Sequence, residues 1–231
     1  MEAHIRKGIL LQGVHKTLGN CKRCPLHAYR QNIVFGGGNP DAPITIVTGT
    51  VSGAEDRTGQ ILPPSNRGEG ALEILDRAMR QVGLEVGRDI YAITILKCQR
   101  PMEMNDEGQL SRASADHADA SKCLPFAKWQ MDIVKSPLVV AHGRFASEVL
   151  FGERRPLVAY CGAWRQFGKA RIALSTHNPG GLFGDRRSLI PEYMLHWRGV
   201  AERLNLLGRL WKPEAVTFAQ GWSFQSAGEN T

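Results

Sequence analysis

The sequence predicts an α/β fold built on a mostly parallel, four-stranded central sheet. Four short runs, at 44–48, 90–96, 137–141 and 171–175, are apolar at nearly every position. That pattern belongs to strands buried on both faces of a parallel sheet. Stretches of helical period fill the gaps, and alternating strands and helices argue βαβ units with right-handed crossovers. Bulk composition is the third observation. A chain of 231 residues, 42% hydrophobic and 22% charged, has enough apolar mass for a core without disulfide staples and is not disordered throughout.

Each element has its own warrant. Ile5, Ile9, Leu10, Val14 and Leu18 recur at near-helical spacing and predict an opening helix over 1–18. The run 44–48 is the first strand. Leu72, Ile74, Leu75, Ala78, Met79 and Val82 form one stripe and predict a helix over 70–82. The strand at 90–96 follows. Residues 125–134 read as a helix, with Cys123 at its opening, residues 137–141 as a strand and 144–150 as a helix. The strand at 171–175 and a helix over 191–206 complete the pattern. No repeat or low-complexity stretch interrupts it. A single domain over 1–210 is therefore expected, followed by a loosely ordered tail at 211–231 that has no clear period.

Charge and cysteine usage narrow the class. Lys and Arg number 29 against 22 Asp and Glu, a formal net charge of +7 with a pI near 9.4, which suits a polyanionic partner such as DNA. No apolar run is long enough to span a membrane. The apolar stretch 8–11 is short and is interrupted by Gln12 and His15, so it does not read as a signal peptide. A cytoplasmic, monomeric protein with no membrane contact and no nucleotide cofactor is expected. In a reducing compartment its five cysteines are metal ligands or buried thiols rather than disulfides.

In an open parallel sheet, sites gather outside the carboxyl ends of the strands. Those ends read Gly49-Thr50-Val51-Ser52-Gly53, Lys97-Cys98, His142-Gly143 and Thr176-His177-Asn178-Pro179. Cys21 and Cys24 form a C-x-x-C pair, and Cys98 and Cys123 lie far from it and from each other. Four thiolates can hold a [4Fe–4S] cluster or a structural zinc. One tight pair plus two distant cysteines favours the cluster, and the competing reading is that Cys98 and Cys123 are ordinary buried thiols. Cys161 is read as a buried thiol.

With that layout the sequence resembles a uracil-DNA glycosylase of the family 4, iron–sulfur type, from about Cys21 to Leu206. The resemblance is carried by Cys21-x-x-Cys24-x-Leu26 with Arg30, then by Val34-Phe35-Gly36-Gly37-Gly38-Asn39-Pro40 and Ala42-Pro43-Ile44. Gly49-x-x-x-Gly53 with Glu55-Asp56 and Gly59 follows, then Gly83 with Asp89-Ile90-Tyr91 and Lys97-Cys98. The remaining pieces are Cys123-Leu124-Pro125-Phe126 with Gln130, the run from Ser136 to Gly143, and the His177-(Asn178)-Pro179 site. The resemblance implies a three-layer α/β/α sandwich and a [4Fe–4S] cluster on Cys21, Cys24, Cys98 and Cys123.

Departures from the family pattern fall in the pocket. The first loop of the family usually reads Gly-Glu-Ala-Pro-Gly, its Glu orienting or activating water. Here Thr50 stands at that position and Ser52 replaces the Pro. The Phe that stacks on uracil corresponds to Leu62, and the Asn that reads the uracil edge corresponds to Thr94. Asn178 is inserted between His177 and Pro179, and the loop over 102–122 is long. Gly49, Thr50, Val51, Leu62, Thr94, Asn178 and Leu182 are the expected substrate-binding residues. The smaller Leu62 and Thr94 leave more room and forfeit the amide match to uracil, so a bulkier, modified pyrimidine is the expected base.

His177 is assigned to stabilise the departing base, because placed donors on developing charge are usually the largest catalytic term. Asp56, ahead of Glu55, is the expected water activator, against a competing reading of both as loop caps or ion-pair partners. Thr50 can only position water. Arg186, Arg187, Arg144 and Lys97 are the candidate phosphate contacts, against a competing reading of any single one as a solvated surface charge, with Leu182 as the wedge in the base stack. His142 and Asn39 are expected to be structural, and Trp129 and Trp197 to lie in the core.

The leading expectation is a DNA glycosylase that leaves an abasic site, acting in defence against phage with modified cytosines. Ordinary uracil-excising repair and a catalytically silent iron–sulfur DNA-binding protein are the alternatives. An iron–sulfur electron-transfer protein is a weaker third, because the matching pieces reach well beyond the cysteines.

Overall fold

A computed structural model describes residues 2–66, 69–106 and 108–208, so the expected tail at 211–231 and the domain end at 210 lie outside the described residues. No helix among the described residues is long and apolar enough to cross a membrane.

The strands are β1 (Gly37–Gly38), β2 (Ile44–Thr48), β3 (Ile90–Thr94), β4 (Met102–Met104), β5 (Leu110–Arg112), β6 (Leu138–His142), β7 (Trp164–Phe167) and β8 (Arg171–Thr176). The helices are α1 (Glu2–Leu18), α2 (Gly53–Thr58), α3 (Ala71–Arg80), α4 (Val86–Asp89), α5 (His117–Val134), α6 (Arg144–Phe151) and α7 (Ile190–Leu207). The central sheet has six strands in the order β1-β3-β2-β6-β8-β7, not four. Its inner strands β3, β2, β6 and β8 run parallel, and β1 and β7 close the two edges antiparallel. Both edge strands are short, which limits the unpaired backbone left for another chain.

Alternation along each inner strand splits the core into two layers. Ile44, Ile46, Leu138, Val140 and Leu174 face Leu75, Met79, Tyr193 and Trp197 of α3 and α7. Val47, Ile93, Val139 and Ala173 face Leu11 of α1 and Ala127, Met131 and Val134 of α5. The sheet is thus sandwiched between two helical layers. Gly38 shows why the β1 edge needs glycine: at φ +127° a Cβ would stand 2.5 Å from the Ile90 carbonyl oxygen.

Several expected elements are corrected. Helix α1 forms, but Leu11, Val14 and Leu18 carry its buried face, and Ile5, Ile9 and Leu10 point outward. Helix α5 begins eight residues before Pro125, at His117, where Asp116 accepts the Ala118 N–H at 2.8 Å. Cys123 is therefore inside that helix rather than at its start. Pro125 is exposed, so the carbonyl freed one turn earlier faces solvent and the helix continues. The long loop over 102–122 contains the hairpin β4–β5 and the first part of α5. Trp197 is buried, whereas Trp129 is 47% exposed.

Register decides where a site can form. Thr48 pairs with both Thr94 and His142, and His142 pairs with Thr176. The inner strands therefore end flush, and the loops after β2, β6 and β8 emerge side by side.

Candidate active site

A cleft of about 530 Å³ opens at those flush ends. Gly49 and Thr50 enter it from β2, His142 and Gly143 from β6, and His177 and Asn178 from β8. Arg144, Phe145, Leu157, Gly181, Leu182, Arg186 and Leu189 complete the lining. Gly143 turns the chain away at φ +85°, where a Cβ would meet the Asn178 side chain at 3.2 Å. Asn178 accepts the Gly180 N–H at 3.1 Å, capping the short 3₁₀ turn Pro179–Gly181 and fixing the loop after His177.

His142 forms the cleft floor. Its ring makes edge contacts with Tyr193 and Trp197 at centroid distances of 5.9 and 6.4 Å. Both ring nitrogens are buried without a hydrogen-bond partner. Burial pushes its pKa down to about 3, so the ring stays neutral at ordinary pH. His177 lies on the wall. Its Nε2 is 3.1 Å from Glu192 Oε2 and 3.4 Å from Cys161 Sγ. The His177 contact holds the Glu192 carboxyl below its usual range. Glu192 and Cys161 were not among the residues expected at the site. They lie 15 and 16 residues from His177, and the only local signal is the i,i+4 pair Glu192–His196 at the start of α7.

The α2 carboxylates point elsewhere. Ser52 and Glu55 form a capping box: Ser52 N–H donates to Glu55 Oε2 at 2.7 Å, and Glu55 N–H donates to Ser52 Oγ at 3.2 Å. Glu55 Oε1 accepts the Leu62 N–H at 3.0 Å. Asp56 is 1% exposed, and its oxygens accept the Gln31 N–H at 2.9 and 3.1 Å and the Asn32 N–H at 3.3 Å. Neither residue lines the cleft. Of the two readings weighed for this pair, the geometry favours the structural one.

Other expected residues are displaced from the cleft too. Thr94 is buried and donates its hydroxyl to the Leu96 carbonyl at 3.0 Å. Leu62 sits at φ +49° in the core beside Val51. Leu182 borders the cleft yet is 2% exposed, so it is not presented as a wedge; Phe183 next to it is 37% exposed. Lys97 cannot touch DNA. It is fully buried and donates to the Phe35 carbonyl at 2.9 Å and to Gln130 Oε1 at 2.7 Å, and burial lowers its pKa to about 7. Arg144 and Arg186 are at the cleft, Arg144 with Glu148 at 3.4 Å, whereas Arg187 pairs with Glu69 on a neighbouring groove.

The four cysteines gather on the α1–α5 side of the sheet. Cys24, Cys98 and Cys123 share one buried cluster, and Cys21 packs at its edge against the group of Val14, Leu18 and Phe126. Arg30 Nη1 donates to Cys98 Sγ at 3.3 Å and to the Cys21 carbonyl at 2.7 Å. Burial pushes the Cys98 thiol up to about 11 and raises Cys24 and Cys123 as well. No three of these sulfurs lie within 4.8 Å of one another. One tetrahedral zinc with bonds of about 2.3 Å would bring them to roughly 3.8 Å. The all-sulfur set, with the Arg30 guanidinium donating to Cys98, has the donor chemistry of an iron–sulfur cluster.

No protein-family model matches the chain. It is 28% identical over 140 residues to a type-4 uracil-DNA glycosylase of Pyrobaculum aerophilum, covering 61% of this chain and 64% of that one. It is 26% identical over 141 residues to that of Archaeoglobus fulgidus, covering 61% and 63%. It is 28% identical over 137 residues to that of Thermotoga maritima, covering 59% and 64%. The chain is a relative of the type-4 uracil-DNA glycosylases. The matched region spans a little under two thirds of the length of these glycosylases.

The Asp56 geometry carries a prediction. Asp56→Ala removes the buried acceptor of the partly buried Gln31 and Asn32 amides and is expected to lower stability by about 1–3 kcal/mol in urea unfolding. Unchanged stability together with lost enzymatic turnover would return Asp56 to the chemistry.

Proposed function

We propose that the chain, through a domain over 1–210, is a DNA glycosylase that hydrolyses the N-glycosidic bond of a flipped base and leaves an abasic site. The observation that carries this reading is His177 on the wall of an open cleft at the flush strand ends, with Arg144 and Arg186 at the same cleft. The similarity to proteins named type-4 uracil-DNA glycosylases supports it.

The reaction passes through an oxocarbenium-like sugar while the base departs as an anion. His177 donates a hydrogen bond to that developing charge, which is where a placed donor contributes most. Glu192 holds the imidazole in position at 3.1 Å. Thr50 positions the attacking water. Arg144 and Arg186 take the flanking phosphates, and Phe183, rather than the buried Leu182, is the wedge that fills the vacated stack.

The base we propose is a bulky modified cytosine, and the setting is defence against phage that carry it. A cleft of about 530 Å³ falls in the range of pockets that hold whole drug-sized ligands, more than a bare pyrimidine needs. Thr94, with its hydroxyl engaged at Leu96, offers no amide match to uracil. One observation favours a second reading, a DNA-binding protein without turnover: no carboxylate lines the cleft among the described residues.

The test is an excision panel on single- and double-stranded DNA carrying uracil, hypoxanthine, 5-hydroxymethylcytosine or its glucosylated form, with alkaline cleavage of abasic sites. Cleavage at a modified cytosine is expected, and His177→Ala is expected to lose about 100-fold or more while still binding DNA. Cleavage at uracil alone would make the protein an ordinary repair enzyme. Binding without abasic product on any substrate would establish the silent reading.

We further propose that Cys21, Cys24, Cys98 and Cys123 hold a [4Fe–4S] cluster. When bound it would tie the loop after α1, the segment after β3 and helix α5 together, a structural contribution rather than a chemical step. Protein purified without oxygen is expected to carry about four iron and four sulfide per chain, lost together in Cys98→Ser. Zinc in place of iron would overturn the assignment.

A further inference from the structure

Cys161, His177 and Glu192 come from three separate pieces of chain. Cys161 is held beside β8 by a parallel bridge to Ser175 and by the Gly162 N–H to the Ser175 carbonyl at 2.9 Å. His177 directly follows β8, and Glu192 lies in the first turn of α7. Their donor atoms converge: Cys161 Sγ, a His177 ring nitrogen and a Glu192 carboxylate oxygen all lie within 4.8 Å of one another. Among the described residues this is the one group of three or more such side chains that meets that spacing.

We propose that these three side chains form a second metal site, distinct from the four-cysteine group, for a zinc-class divalent cation. Zinc bonds of about 2.3 Å to sulfur and about 2.0–2.2 Å to nitrogen and oxygen give tetrahedral edges of roughly 3.6 Å for S···N and 3.4 Å for N···O. The observed separations are 3.4 Å for Cys161 Sγ to His177 Nε2 and 3.1 Å for His177 Nε2 to Glu192 Oε2. Small outward shifts of the side chains would seat the ion. Both neighbours approach the same ring nitrogen. A catalytic triad would instead place the acid on the other nitrogen, so a shared cation explains the arrangement better.

A second histidine stands beside the group without joining it. His196 sits one turn after Glu192, with Nε2 at 3.8 Å from Glu192 Oε1, and its Nδ1 is fixed by Thr176 Oγ1 at 2.8 Å. With Nδ1 held by Thr176, the other ring nitrogen of His196 faces the Glu192 carboxylate. Because His177 also lines the cleft, an ion held here occupies its wall, and three protein ligands leave a position for water, the pattern of an open rather than a structural site. The inference stands whether or not the cleft excises a base, since it is read by metal uptake and not by turnover.

The test uses the full chain with its cysteine group as purified, stripped with EDTA and titrated with Zn²⁺ by calorimetry. One ion per chain is expected to bind, and Cys161→Ala and Glu192→Gln are each expected to weaken it by more than about 10-fold. The Glu192 side chain is 44% exposed, so that variant keeps the test open if Cys161→Ala fails to fold. Zinc absorption spectroscopy is expected to show one sulfur and otherwise nitrogen and oxygen neighbours. No uptake, uptake indifferent to both substitutions, or an all-sulfur shell would overturn the proposal.

Discussion

The architecture around the cleft depends on two buried carboxylates of one short helix. Glu55 and Asp56 of α2 accept backbone amides from three separate stretches: Ser52 after β2, Leu62 beyond the helix, and Gln31 with Asn32 near the C-x-x-C loop. Removing a buried acceptor takes away the partner that holds these partly buried donors in place, which costs more than the bond itself contributes. This constraint joins the cleft side of the sheet to the cysteine side. It also explains why two adjacent acids beside a catalytic-looking loop are absent from the cleft lining.

The same logic runs through the interior. Lys97 is buried beside the cysteine group, where its ammonium meets the Phe35 carbonyl and Gln130 Oε1, while Gln130 Nε2 donates to the same carbonyl at 2.9 Å. A buried polar group is tolerated only when its donors are occupied. On the opposite face, Tyr193 and Trp197 support His142 from below, so the cleft floor is a rigid aromatic stack and not a polar network. The polar side chains of the cleft, His177 and the arginines among them, stand on its walls.

The parallel centre was legible because β2, β3, β6 and β8 are apolar on both faces, a pattern few other elements share. The edges were not. Gly37–Gly38 carries no side-chain signal, and Trp164–Phe167 is too short and polar to stand out from a loop. Helix α1 was legible as a helix, but its face was not, since Ile5 and Ile9 match the period and yet stay exposed while Leu11 packs. At the site, His177 and Asn178 were legible from their position after a strand. Lys97 misled because a basic residue at a strand end reads as a phosphate contact until its burial is seen. Cys161 and Glu192 were invisible, because only the fold brings residues 161, 177 and 192 together.

The central claim is that DNA enters the cleft at the flush ends of β2, β6 and β8. Hydrogen–deuterium exchange on the full chain, with and without duplex DNA carrying a stable abasic-site analogue, tests it directly. The account predicts slowed exchange over 49–52, 142–145 and 177–187. Protection confined to α1 and the outer face of α5, or none at all, would contradict it.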